Sequence, residues 1–409
     1  MPDPDTASPR RASRRQFLLG GAVAGVGAVA AVGLDALVAS ARPAPAAAEP
    51  AAPPLHGSET VPFHGIHQAG IATDAPAHAL FIGLELRPDV DAAALRRLMR
   101  TLSDDAARLT QGRPALADTE PELAVSPAKL TVTFGFGPGF VARAQGEVPS
   151  WLRPLPAFGI DRLEPAWSDG DLLLQICADD PLAAAHAARM LLKDARSFAE
   201  VRWWQDGFRR AHGTVAPGTT MRNLFGQVDG TSNPIPGSAD FDRLVWVPDG
   251  WMAGGTGMVV RRIRMDLDTW DELDRPGREQ SVGRTLSTGA PLTGVREHDE
   301  PDFTAVDGLG FPVIPEFSHV RRSRSDDPRQ RIFRRAYNYD VAPDGRGVSE
   351  SGLVFAAFQA DIDAQYVPLQ QRLDELDLLN QWTTPIGSAV FAIPPGCAEG
   401  GYVGETLLG

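Results

Sequence analysis

The chain has 409 residues, a formal net charge of -13 and two cysteines. An acidic balance of this size leaves no general basic footprint for nucleic acid. Cys177 and Cys397 are far apart with no CxxC or Cys/His cluster, which argues against a zinc or iron–sulfur site and favours two buried free thiols over a disulfide.

At the N-terminus, Ser13-Arg14-Arg15-Gln16-Phe17-Leu18-Leu19 leads into a run rich in Ala, Gly and Val that ends near small-residue cleavage sites at Ala39-Ser40-Ala41 and Ala46-Ala47-Ala48. This pattern resembles a twin-arginine export signal. Residues 1–41 are expected to be the signal peptide and residues 42–60 a disordered Ala/Pro linker. An uncleaved membrane anchor is the alternative. The expected partners therefore include the twin-arginine export machinery, and the expected location is outside the cytoplasm.

About 350 residues remain, too many for one small core. His78–Leu86 reads as a buried strand, and residues 91–110 as a helix with Asp91 as its N-cap and Leu95, Leu98, Met99 and Leu102 on one face. Leu130–Phe136 is a second strand that stops at Gly137-Pro138-Gly139, and Asp171–Cys177 is a third. A helix over Pro181–Ala195 and a strand over Phe198–Trp204 follow. The order strand, helix, strand, strand, helix, strand is that of a ferredoxin-like unit. The second half repeats it weakly. Strands are expected over Met258–Met265, Arg331–Tyr339, Gly352–Phe358 and Ser388–Ile393, with helices beginning at Asp268 and running over Pro368–Leu379. The expected fold is α+β, with two ferredoxin-like domains at 61–215 and 216–409, antiparallel sheets and peripheral helices.

Polar clusters gather in the second half. Asp229 stands between Gly226 and Gly230 in Asn223-Leu-Phe-Gly-Gln-Val-Asp-Gly-Thr-Ser-Asn233. Glycines let a backbone turn sharply and approach a ligand closely, although Asp-Gly-Thr-Ser-Asn-Pro alone reads as an ordinary turn. Among the histidines, His319 alone follows a buried-looking Phe311-Pro-Val-Ile-Pro segment and precedes a basic run. Arg334-Arg335 lies in an apolar strand, where a buried arginine needs an anionic partner. Outward-facing arginines on an edge strand are the competing reading. Asp377-Leu-Leu-Asn-Gln-Trp-Thr-Thr384 is the last cluster.

Together, Asn223–Thr231 with Asn233-Pro234, the His319-Val-Arg stretch, and Arg334-Arg-Ala-Tyr-Asn-Tyr339 resemble the dye-decolorising peroxidase family. Val61–Ile71, Gly352–Asp361 and Leu379-Asn-Gln-Trp382 fit as well, so the resemblance runs from residue 61 to 409. It is nearest to the exported branch that includes the deferrochelatase-type peroxidases. The resemblance implies one haem b per chain, held mainly by the C-terminal half. It implies hydrogen peroxide as oxidant, an oxoferryl intermediate, and dyes, phenols or other organic compounds as reductants. His319 corresponds to the proximal iron ligand, Asp229 to the distal acid and Arg334 to the distal arginine. Arg334 rather than Arg335 follows from the register of the family's strand, since the two face opposite sides. Leu353 and Phe355 match apolar positions of the distal wall, and Gly226, Gln227, Val228, Gly230 and Thr231 match the loop beside the haem. Many relatives have an aromatic and a lysine where this chain has Gln227 and Val228. Asp377 is the candidate for the carboxylate behind His319, although the family's usual acid falls near Gln381. Tyr337, Tyr339 and Trp382 are candidates for passing electrons from bulky reductants. A haem-delivering or iron-releasing protein and a non-catalytic haem-binding protein are the rival readings, and a homo-oligomer is left open.

Overall fold

In the computed structural model, which describes residues 57–343 and 350–409, β1 (His78–Leu86) is the central strand of the first half. The expected signal peptide, and the expected linker up to residue 56, lie outside the described residues. Among the described residues no helix is long and apolar enough to cross a membrane.

The remaining strands, in chain order, are β2 (Thr131–Phe136), β3 (Leu172–Ala178), β4 (Ala199–Phe208), β5 (Met221–Arg222), β6 (Val228–Asp229), β7 (Thr256–Met265), β8 (Phe333–Arg334), β9 (Tyr337–Val341), β10 (Glu350–Gln359) and β11 (Thr383–Ile393). Nine of these eleven strands, counted among the described residues, belong to one antiparallel sheet in the order β7-β11-β2-β3-β1-β4-β9-β10-β8, and β7 also pairs with β10. That extra pairing closes the sheet into a barrel, with β8 added at the edge.

Within the first half the order is β4-β1-β3-β2, and within the second β11-β7-β10-β9. The halves meet at two narrow seams. Ala392 pairs with Phe136 at one, and Phe208 with Asn338 at the other.

Closure explains why the strands read as nearly continuous apolar runs: both faces are buried. On β1, Leu80, Ile82, Leu84 and Leu86 pack outward under the helices Ala92–Leu109 and Pro181–Ala195, while Ala79 and Phe81 point into the barrel. On β10, Val354, Ala356 and Phe358 fill the barrel, and Leu353 and Phe355 face outward. Asp91 caps the helix Ala92–Leu109 by accepting from Ala94 N at 2.8 Å.

Two elements depart from the sequence reading. Gly137-Pro138-Gly139 does not simply end β2 but starts the short helix Pro138–Arg143, with proline in its first turn where the missing N–H costs nothing. Arg331–Tyr339 is not one strand. It breaks between Arg334 and Tyr337, with the intervening Arg335 turned inward. Cys177 and Cys397 are free and buried.

Candidate active site

β5 and β6 form a two-stranded hairpin in which Met221 pairs with Asp229 and Arg222 with Val228. Asn223 shapes its turn. Its Oδ1 accepts from Phe225 N at 3.1 Å and from Gln227 N at 3.2 Å. Gly226 adopts φ +77°, a left-handed conformation that favours glycine. The hairpin presents Asp229 on the wall of a cavity of about 650 Å³.

Gln227, Val228, Gly230 and Thr231 line the same cavity, whereas Gly226 stays in the turn. The outer face of the barrel supplies another wall through Leu353 and Phe355. Ile263 and Met265, on the neighbouring strand β7, extend this apolar wall, as Leu353 pairs with Ile263.

Arg334 also reaches the cavity. Its Nη2 lies 2.8 Å from Asp229 Oδ1, and its guanidinium carbon sits 6.0 Å from the centre of the Phe355 ring. Asp229 Oδ2 accepts from Asn223 Nδ2 at 3.3 Å. Arg335 points the opposite way, as alternation on a strand requires. It is buried and donates to the carbonyls of Ile71, Thr73 and Asp74, so it binds a loop of the first half and does not enter the site.

His319 opens the short helix His319–Arg322. Several ties hold that helix against the helix Val367–Leu376. Leu378 N donates to Phe317 O at 2.9 Å, and Arg322 pairs with Glu375 at 3.0 Å. Gly283, at φ +85°, ends the helix Arg275–Val282. A Cβ there would overlap Val320 Cγ1, so glycine is what lets the helix bearing His319 approach so closely.

Asp377 serves two elements with its two oxygens. Oδ1 accepts from Leu379 N at 3.0 Å and caps the following turn, and Oδ2 lies 2.6 Å from His319 Nδ1. Asp377 is buried, while about a third of the His319 side chain, 32 %, is open to the cavity. Burial by itself disfavours the imidazolium. The charge of Asp377 and its hydrogen bond outweigh this and hold the His319 pKa above the ordinary histidine range. With Nδ1 engaged by a carboxylate, Nε2 is the nitrogen left for a ligand.

The structure thus brings Asp229, Arg334, His319, Asp377, Leu353 and Phe355 to one cavity. The aromatic candidates divide. Tyr337 and Tyr339 are buried in the barrel interior away from the cavity wall. Trp382 is partly buried and packs edge-on against Trp270 at 5.2 Å, which in turn stacks on the cavity residue Phe225 at 4.3 Å. Sequence reasoning did not single out Asn223, Tyr366 or Arg261. Arg261 lines the cavity from β7 and pairs with Asp161, whose own carboxyl is pushed up by burial in spite of that partner.

The cavity suits a flat cofactor with an apolar body. Its volume lies in the range of small-molecule sites. Aliphatic and aromatic side chains form part of its wall, His319 offers a nitrogen whose orientation a carboxylate fixes, and several arginines, Arg334 among them, add cationic groups to the rest of the lining. This donor set is that of a haem pocket.

Comparison with known proteins agrees. Residues 68–209 match the family described as Dyp-type peroxidase, N-terminal, and residues 220–398 match Dyp-type peroxidase, C-terminal. The chain therefore belongs to the DyP-type peroxidases, and with that membership come an oxidoreductase activity on peroxide and a haem cofactor. It is 37 % identical to a dye-decolorizing peroxidase of Thermobifida fusca, over 100 % of both chains. It is 32 % identical to a deferrochelatase of Yersinia pestis, over 100 % of this chain and 97 % of the relative. Among solved structures it is similar to a DyP-type peroxidase from Cellulomonas bogoriensis, with 55 % identity, 86 % of this chain and 99 % of that one covered, and a TM-score of 0.84. Ferric DtpA from Streptomyces lividans is 44 % identical, with 87 % and 100 % covered and a TM-score of 0.84.

Proposed function

We propose that this peroxidase divides its work between the two sides of the cavity, with His319 and Asp377 holding the haem iron and Asp229 and Arg334 handling the peroxide. The observation that carries this reading is the Asp229–Arg334 ion pair, at 2.8 Å, on the wall of the cavity into which His319 opens.

When bound, the haem supplies the redox-active iron at which the O–O bond is broken. His319 would offer Nε2 to the iron, and Asp377, at Nδ1, would fix its tautomer and raise its basicity. Leu353, Phe355, Gln227, Val228, Gly230 and Thr231, which line the cavity, would enclose the porphyrin. Asp229 takes a proton from one peroxide oxygen and returns it to the other, through Oδ2, the oxygen not engaged by Arg334. Arg334 keeps its positive charge throughout and stabilises the negative charge that develops on the departing oxygen. Two electrons then come from an organic reductant. Bulky reductants fit a route over the Phe225, Trp270 and Trp382 rings better than one through Tyr337 or Tyr339, which are buried in the barrel.

The strand orders β4-β1-β3-β2 and β11-β7-β10-β9 support reading the barrel as two ferredoxin-like halves, divided near residues 215–220, with the haem in the second. Arg14-Arg15 and the apolar run after them support export by the twin-arginine route.

The functional test compares peroxide-dependent bleaching of an anthraquinone dye by the haem-loaded protein with release of free iron from the same sample. Bleaching that requires peroxide, with no iron released, is expected. Iron release that leaves the porphyrin intact and needs no dye would instead support a deferrochelatase role.

Asp377→Asn keeps a hydrogen-bond acceptor for Nδ1 but removes the charge. Haem affinity or peroxidase activity is expected to fall about 10- to 100-fold. Titration of the Soret band and steady-state assays measure this, and unchanged values in both would remove Asp377 from the site.

A further inference from the structure

The loop that carries Asp229 grips Arg334 at two points. One is the guanidinium, held by Asp229 Oδ1 at 2.8 Å. The other is the main chain: Asn233 Nδ2 donates to Arg334 O at 2.7 Å, and Arg334 N donates to Asn233 Oδ1 at 3.0 Å.

The second grip has a topological reason. β8 is the last strand in the sheet order and pairs only with β10, where Arg334 lies opposite Ala357. Arg335 N, the next along, donates inward to Ala356 O at 2.8 Å. Successive peptide groups of a strand alternate in direction, so the N–H and C=O of Arg334 point away from β10, to the open edge. A carboxamide carries a donor and an acceptor in one plane. Asn233 thus does for one residue what a further strand would do. It is itself fixed, since its N–H donates to Gly230 O at 3.0 Å and the buried Pro234 follows.

We infer that Asn233 is a positioning residue for the peroxide reaction: its carboxamide locks the backbone of Arg334 so that the guanidinium is held against Asp229 on the cavity wall. The inference rests on the role proposed above for Arg334. It separates the chemistry of the two asparagines in this segment, with Asn223 shaping the hairpin under the acid and Asn233 setting the arginine. Asn233→Asp keeps the acceptor but replaces the donor with a negative oxygen facing the Arg334 carbonyl. It is therefore the more damaging change, and Asn233→Ala, which introduces no charge, the milder one.

The test uses haem-loaded wild type, N233D, N233A, R334L and the double variant N233D/R334L. Stopped-flow mixing gives the second-order rate constant with hydrogen peroxide, Soret titration gives haem affinity, and hydrogen–deuterium exchange follows the peptide spanning residues 332–336. N233D is expected to slow the peroxide reaction about tenfold and N233A less. Haem affinity should stay within about twofold, and exchange over 332–336 should rise in both variants. In the R334L background N233D should add less than about twofold, because the side chain it positions is gone. The inference is overturned if N233D slows the reaction by the same factor in both backgrounds, if haem affinity falls in parallel with rate, or if R334L slows the reaction while N233D does not. If R334L itself reacts at the wild-type rate, the role of Arg334 fails and the inference with it. Should N233D not bind haem, N233A carries the same comparison.

Discussion

His319→Ala is expected to lose more than about 100-fold in haem affinity, beyond the range usual for removing a residue that only supports a ligand. The side chain combines an open nitrogen with a buried carboxylate behind it, 2.6 Å away at Nδ1. Removing it takes away the nitrogen proposed to bind the iron and leaves Asp377 buried with its charge uncompensated on that oxygen. A buried unpaired charge is costly, so some loss of thermal stability in the haem-free protein should accompany the loss of affinity. The measurement is a Soret titration of haem into the variant, repeated with free imidazole, which should restore part of the spectrum by entering the space the side chain left. A wild-type dissociation constant in the variant would mean that the haem is held by another residue.

Asp229→Asn is expected to slow the reaction with peroxide about 10²- to 10⁴-fold, the usual contribution of a positioned acid–base group. The substitution preserves shape, and its one amide oxygen can accept from Asn223 or from Arg334 but not from both, so the fold and haem affinity should change little while the Arg334 contact is weakened. What disappears is the atom that can accept a proton. The Arg334 guanidinium also loses its counter-ion, although its charge remains available to the peroxide. Rate constants from stopped-flow absorbance at several peroxide concentrations measure the effect. A variant as fast as the wild type would move proton transfer to water.

Much of this site is legible in the sequence, for reasons that differ by residue. β1 and the helix Ala92–Leu109 are local. A strand of continuous apolar residues and an Asp N-cap followed by helical spacing are read from consecutive residues. Alternation on a strand predicts that Arg334 and Arg335 face opposite sides, as they do, and the register of the family's strand selects Arg334. Closure of the barrel is not legible, because each seam is a single pair of residues from distant parts of the chain, Phe136 with Ala392 and Phe208 with Asn338. The break in Arg331–Tyr339 is hidden for a similar reason. Arg335 is turned inward by carbonyls of a loop more than 250 residues earlier, at separations of 261 to 264. Asn233 is legible as a turn residue before proline and as part of the family motif, but its grip on Arg334 is not, since its carboxamide acts on a strand 101 residues later. Tyr337 and Tyr339 looked close to the site in sequence but lie on barrel-facing positions, which their apolar setting alone could not reveal.

Peroxide reacting at a haem bound in this cavity beside Asp229 and Arg334 would leave a direct spectroscopic trace. The most direct measurement mixes the haem-loaded protein with one equivalent of hydrogen peroxide in a stopped-flow spectrometer. A rapid and complete change of the Soret band is expected, with a rate proportional to peroxide concentration, and return to the starting spectrum when a reductant is added. A Soret band that stays unchanged, or that only bleaches slowly and irreversibly, would contradict it.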